Sequence, residues 1–237
     1  MKKLLMASAC VLSLATTQVA NALSVSWAVG GAPTGVKYVN FDNLTPNTSG
    51  LLTATGPNGS INLEITPNAK VAQGSQSGVY AAPVLSGGQG ALFGNPIGNP
   101  DGVDTTPYLT SGRTSDQGSI TMLFSGPQQY LGLLWGSVDA YNTLAFYLGT
   151  TLIDTVTGTQ VIGVGQATGN QSASGTVYVN INTTSAFDRV VATSTSFAFE
   201  FDNVAYNTTP VPDGGTTAAL LGLAFTGLGF VARRRHA

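Results

Sequence analysis

The sequence predicts an all-β domain, a two-sheet antiparallel sandwich of jelly-roll type, framed by a cleaved N-terminal signal peptide and a single C-terminal transmembrane helix. Three observations predict it. Apolar residues recur at every second position through much of residues 23–210, the stretches between them are rich in Gly, Asn, Pro and Ser, and nothing before Thr216 has a helical period. Alternation places successive side chains on opposite faces of a strand, so each such segment has one face that needs a second layer to cover it.

In chain order, Val25, Trp27 and Val29 alternate with small residues, and a second strand is expected within 36–44. Ile61, Leu63 and Ile65 alternate with Asn62 and Glu64. Separate strands are expected at 120–124 and 130–135, with Gly126 and Pro127 between them as a break. Further strands follow at 143–148 and 152–157. Val177, Val179 and Ile181 alternate with Tyr178 and Asn180, and Phe197, Phe199 and Phe201 alternate with Ala198 and Glu200. Two segments break the rhythm: residues 71–112, dense in Gly, Pro, Gln, Ser and Asn, read as one long loop, and 163–175 as a polar connection.

Both ends carry signals. Lys2 and Lys3 precede an apolar stretch, and Ala20-Asn21-Ala22 has the small-x-small form of a signal-peptidase site, so 1–22 reads as a signal peptide and Leu23 as the mature start. A lipoprotein reading through Cys10 is disfavoured, because Ala7 stands where a lipobox has Leu. At the other end, Val211-Pro212-Asp213-Gly214-Gly215 precedes an uncharged apolar run at 216–232, closed by Arg233, Arg234 and Arg235 in a basic tail at 233–237. As a helix that run is roughly 25 Å long against a hydrocarbon core of about 30 Å, a minimal span that flanking arginines extend by snorkelling. The arginines hold that end in the cytoplasm and leave everything before Val211 outside.

This tripartite tail resembles the PEP-CTERM sorting signals, in a variant with Val-Pro-Asp in place of Pro-Glu-Pro. The resemblance implies export through the inner membrane of a Gram-negative-type bacterium, transient retention there by the helix, and cleavage near residues 211–215 by an exosortase. The block Tyr130-Leu131-Gly132-Leu133-Leu134-Trp135-Gly136-Ser137-Val138-Asp139-Ala140-Tyr141-Asn142-Thr143, with its flanks across 104–156, resembles a recurring subfamily of exosortase-dependent surface proteins. That likeness implies location and a sandwich-like domain, not an activity.

Without these signals roughly 190 residues remain, which suits one domain. Ten carboxylates there stand against Lys37, Lys70, Arg113 and Arg189. With no basic cluster, a nucleic-acid partner is not expected. The only cysteine, Cys10, and the only histidine, His236, lie in the terminal signals. Disulfides, thiolate or imidazole metal sites, Cys-His nucleophiles and Ser-His-Asp triads are therefore excluded from the exported domain. Among carboxylates, Glu64 and Glu200 are the acid/base candidates, yet each alternates with core residues and is expected to face solvent. The chain is therefore read as no enzyme.

Two sets of side chains are candidate sites. Phe41-Asp42-Asn43 and Phe201-Asp202-Asn203 are the same tripeptide near the two ends of the domain, on strands that adjoin in many jelly rolls. Asp42, Asn43, Asp202 and Asn203 offer hard oxygen ligands for Ca²⁺, the one cofactor the sequence suggests; alternatively each Asp accepts local backbone hydrogen bonds. Asn99, Asp101 and Asp104 lack EF-hand spacing, and Pro100-Asp101-Gly102 reads as a turn. Trp135, Asp139, Tyr141, Asn142 and Tyr147 form a second set, in which outward tyrosines could stack on sugar rings. Leu131, Leu133 and Trp135 equally read as core. The expectation is an exported structural protein of the cell surface or extracellular matrix, associated with exopolysaccharide or biofilm. Its processing partners are signal peptidase and an exosortase, and a calcium-stabilised carbohydrate-binding module is the alternative.

Overall fold

Two strands of 18 residues, β7 (Ser119–Gly136) and β10 (Val177–Ser194), organise the molecule. The computed structural model describes residues 23–28, 32–85, 102–112 and 118–211. The remaining strands are β1 (Ser24–Ala28), β2 (Lys37–Val39), β3 (Gly50–Thr55), β4 (Ser60–Ile65), β5 (Ala69–Ala72), β6 (Tyr108–Ser111), β8 (Asn142–Leu148), β9 (Thr151–Thr157) and β11 (Phe199–Asn207). Every pairing between them is antiparallel.

One half of the fold runs β3-β4-β7-β10-β8-β9, using the first part of β7, where Ile120 lies opposite Ala192, and the last part of β10. The other half runs β5-β6-β11-β7-β10-β1, using the last part of β7, where Trp135 lies opposite Val177, with β2 also on β11. The two long strands pass from one half into the other. β10 shifts register between Asn182, Phe187 and Arg189, and β7 carries Gly126 and Pro127 at the matching level. Bulges and bends of this kind let a strand turn a sandwich corner, and an irregular corner tolerates a proline that a regular ladder would not. The expected break at Gly126-Pro127 is thus a bend inside a single strand, and the fold is all-β as the alternation predicts.

A common core fills the space the halves enclose. Ile61, Leu63, Ile120 and Met122 from one half and Leu131, Leu133, Trp135, Val179 and Phe201 from the other are all buried in it. At the corner Phe124 sits 5.6 Å from Phe187 and 5.1 Å from Tyr206, and Phe146 sits 5.1 Å from Phe187, ring centre to ring centre. The Tyr206 hydroxyl donates to the Ser60 carbonyl at 3.0 Å and accepts from the Ser60 amide at 3.1 Å, tying β11 to the β3–β4 hairpin. That hairpin's tip lies close enough to β2 that a Cβ on Gly56 would come within 2.3 Å of the Tyr38 carbonyl.

The second half is covered on its outer face as well. Residues 73–85 and 102–107 cross over it, and Tyr108, Tyr130, Leu134 and Tyr178 are buried beneath this layer. Within the expected loop 71–112, the described residues contribute β6 and the end of β5. Trp27 is 51 % exposed rather than core, because β1 lies at the outer end of its half. The expected strand around 36–44 stops at Val39, since Phe41 turns the chain with φ of 54°. A single-turn helix, Gly158–Ile162, and a 3₁₀ turn, Ala173–Gly175, lie between β9 and β10. The expected signal peptide, transmembrane helix and basic tail lie outside the described residues. Among the described residues no helix is long and apolar enough to cross a membrane.

Phe187 is fully buried at the corner against the rings of Phe124 and Phe146, so Phe187→Ala should cost about 3–5 kcal/mol. Urea unfolding should show a lower midpoint with an unchanged slope.

Candidate functional site

Three groups of polar residues stand out, and β11 contributes to two of them. Glu200 points away from the core, toward the covering layer, and is 2 % exposed. Its Oε1 accepts from the Ala81 amide at 2.9 Å and its Oε2 from the Ser137 hydroxyl at 2.6 Å. Strand alternation correctly turns Glu200 away from the core. The expectation that it faces solvent fails because residues 78–83 cross the outer face: a Cβ on Gly136, opposite Glu200, would meet Pro83 at 3.1 Å. Glu64, on a half without such a cover, is exposed. Burial raises the Glu200 carboxyl to about 7, against the hydrogen bonds that favour its charged form.

Glu200 lies at the floor of an open polar cleft of about 230 Å³, lined also by Tyr80, Ser137, Asp139, Tyr141, Thr168 and Gln171. Ser137 is placed by a turn in which it adopts φ of 38°. Asp139 follows that turn and bridges to Thr168 on the β9–β10 connection; a Cβ on Gly169 would lie 2.6 Å from its Oδ1, so only glycine fits there. Burial raises the Asp139 carboxyl, and the neighbouring Tyr141 hydroxyl partly opposes the rise. The Tyr141 hydroxyl donates to the Phe197 carbonyl. Burial first, then the Asp139 carboxylate, pushes the Tyr141 phenol well up. The cleft thus offers two carboxyl groups, a half-buried ring and several neutral hydrogen-bonding groups, a set suited to a small polar or polyhydroxylated ligand.

The structure divides the expected sugar-stacking set. Asp139 and Tyr141 line the cleft. Trp135 is fully buried, stacked on Phe199 at 4.3 Å, because it lies on the inner face of β7 with Leu131 and Leu133. Asn142 is buried too: its Nδ2 donates to the Ala198 carbonyl at 3.1 Å and its Oδ1 accepts from the Ser194 hydroxyl at 2.7 Å. Tyr147 is half-buried at the far end of β8, with the Arg189 guanidinium 4.3 Å from its ring centre. It lies outside the cleft.

The repeated tripeptides do meet. Val39 pairs with Val204, which brings Phe41 within 6.2 Å of Phe201, ring centre to ring centre. Asp202 is fully buried, Asn203 is 1 % exposed, and Asp42 lies at the surface. Asn43 is committed elsewhere, accepting from the Thr55 amide at 2.9 Å and donating to the Thr53 carbonyl at 3.0 Å. Asp104, grouped from sequence with Asn99 and Asp101 in the long loop, instead reaches this cluster and lies against Asp202. Burial raises Asp202 well above the usual carboxylate range, and Asp104 and Asp42 add to the rise.

The third group lies where the domain meets the tail. Asn182 on β10 accepts from the Val211 amide at 2.7 Å and donates to the Val211 carbonyl at 2.8 Å, while Val211 packs beside the buried cluster of the outer layer. Pro212, Asp213, Gly214, Gly215 and Arg233 to Arg235, like Ala20 and Ala22, lie outside the described residues. Sequence reasoning missed Glu200 as a cleft residue, Ser137 and Asn182. For Ser137 a signal was present, a polar Ser137-Val138-Asp139 directly after an apolar strand; for Glu200 and Asn182 the sequence carried none.

Glu200 has a folded pKa above its ordinary value, so its ionisation takes no stability below about pH 4.5, removes stability progressively up to about pH 7 and levels off above it. Glu200→Gln, which keeps an oxygen for Ala81, should therefore raise stability at pH 8 by about 3 kcal/mol and leave it nearly unchanged at pH 4. Thermal unfolding across pH 4–8 should show a flatter profile in the variant.

Residues 210–235 match the VPDSG-CTERM motif. No curated protein and no solved structure shows significant similarity to the chain. The match covers the tail and not the β domain before it, and this chain has Gly214 where the motif's name has Ser. Such a motif implies processing by an exosortase-type sorting system and a cell-surface or extracellular location for a tail similar to this one.

Proposed function

We propose that this protein is a non-enzymatic structural component of the cell surface or extracellular matrix, delivered by exosortase cleavage of its tail and associated with the exopolysaccharide layer of a biofilm. The observation that carries this reading is the match of residues 210–235 to a sorting motif, shortly after the last strand of an all-β domain ends at Asn207. An exported domain without cysteine must be stable through its core alone, and the shared long strands supply such a core. The non-catalytic part of the proposal rests on Glu200, whose two oxygens are both occupied by protein donors. In the proposed route the apolar run at 216–232 holds the chain in the inner membrane until it is cut.

The test is fractionation of the producing cells with intact mass of the recovered protein. The expected species begins at Leu23, ends between Val211 and Gly215, and leaves the inner membrane. A species that keeps residues 216–237 and stays in the inner membrane would make the tail a permanent anchor and defeat the exosortase reading.

A second reading, carbohydrate binding, is favoured by the cleft, whose half-buried Tyr141 ring lies beside Asp139 and Gln171. Ring stacking with flanking hydrogen bonds suits a sugar. On a glycan array Tyr141→Ala should weaken binding by about tenfold or more, taking the contact as worth roughly 1.4 kcal/mol. Tyr147→Ala, outside the cleft, should leave it unchanged; equal loss in both variants would place the sugar elsewhere.

A further inference from the structure

We propose that Asp104, Asp202 and Asn203 bind a single hard divalent cation, Ca²⁺ by the chemistry of the donors, joining the loop before β6 to the bulge in β11. The site is separate from the cleft and does not depend on how the tail is processed.

Three side-chain oxygens carry the inference. Asp104 is 1 % exposed; its Oδ1 accepts from the Thr106 amide at 2.8 Å and the Thr106 hydroxyl at 2.7 Å, while its Oδ2 is buried with no hydrogen-bond partner. Asp202 repeats the pattern: its Oδ1 accepts from the Asn203 amide at 2.7 Å, and its Oδ2 is buried and unpartnered. Asn203 is 1 % exposed, and both polar atoms of its side chain lack partners. In each carboxylate one oxygen fixes the side chain and the other is left over. Buried polar atoms almost always find partners, so unsatisfied acceptors on adjoining residues need an explanation.

The backbone holds these groups firmly. The Asp104 amide donates to the Pro83 carbonyl at 2.8 Å, and the Asn203 carbonyl accepts from the Tyr178 hydroxyl at 3.1 Å. Asn203 takes φ of 55° at the point where the β11–β7 register shifts between Asp202 and Ala205. The bulge sets Asp202 against Asp104, with Asn203 the next residue along the chain.

The two carboxyl groups lie against one another, and among the described residues the charged groups acting on Asp202 are both acids, Asp104 and Asp42. A pair of buried carboxylates with no cation beside them must share a proton or bind a cation. Among the described residues no three of His, Cys, Asp and Glu converge on one metal position. The inner donors are therefore two carboxylates and the Asn203 amide oxygen, with Asp42 adding negative charge from the surface side and water completing the shell. All-oxygen donors of mixed charge suit Ca²⁺, which takes six to eight oxygens in a flexible geometry. Asn43 is not a ligand, since its amide is committed to β3.

The experiment is thermal unfolding of the purified full chain in detergent, in EDTA and in saturating CaCl₂, beside Asp104→Asn and Asp202→Asn. Calcium should raise the wild-type melting temperature by roughly 5–10 °C at about a hundredfold excess over Kd. Each variant should lose that rise while still folding in EDTA, and calorimetric titration of the wild type should show one calcium per chain. A wild-type melting temperature indifferent to calcium would overturn the proposal. So would a rise retained in both variants. If the variants instead unfold at higher temperature than wild type in EDTA and the wild type ignores calcium, the pair shares a proton and the site is not a metal site. Should either variant fail to fold, the wild-type titration alone decides.

Discussion

The continuity of β7 and β10 through both halves is the constraint on which the rest of the structure depends. A sandwich of two independent sheets is held by side-chain packing and by the loops between sheets. Here the backbone ladder itself carries each half into the other, because the two longest strands remain paired before and after the corner. The corner rings of Phe124, Phe146, Phe187 and Tyr206 then pack where the ladder is interrupted. Hydrophobic contact substitutes for hydrogen bonding at the one level where register is lost, and the domain needs no disulfide to hold its halves together.

The same continuity makes the halves unequal. One half leaves its outer face to solvent, as Asn62 and Glu64 show on β4. In the other, residues 73–85 and 102–107 form a third layer, so outward residues of β11 and β7 that would be surface on an ordinary sandwich are enclosed. Enclosure gathers Glu200, Asp139, Asp104 and Asp202 in places where a carboxylate is costly. A protein with a core this extensive can carry that cost, and polar groups placed at such expense are the natural places to look for binding.

Much of the fold was legible in the alternation: Ile61-Leu63-Ile65, Val177-Val179-Ile181 and Phe199-Phe201 all turn their apolar residues into the core. So was the meeting of the two Phe-Asp-Asn segments, since identical strand-end signals near the two ends of the domain pointed to adjoining strands. The bend at Gly126-Pro127 was not legible, because a glycine-proline pair has the same local signature whether it ends a strand or bends one. Nor was the burial of Glu200 and Asn142. Periodicity says which face of a strand a residue occupies, and only the tertiary arrangement says whether that face is covered. Asp104 was misplaced for a related reason: its local sequence groups it with the loop residues Asn99 and Asp101, while its partner Asp202 lies nearly a hundred residues away.

Asn182 joins the two ends of the described domain. It grips Val211 through both backbone atoms, and on its own strand it stands opposite Ser24. The first and last described stretches of the domain therefore meet at one residue. Chain leading into Ser24 and chain leading out of Val211 start from the same end of the folded body, so under the proposed sorting route a pull on the tail acts on the domain at the level of its first strand.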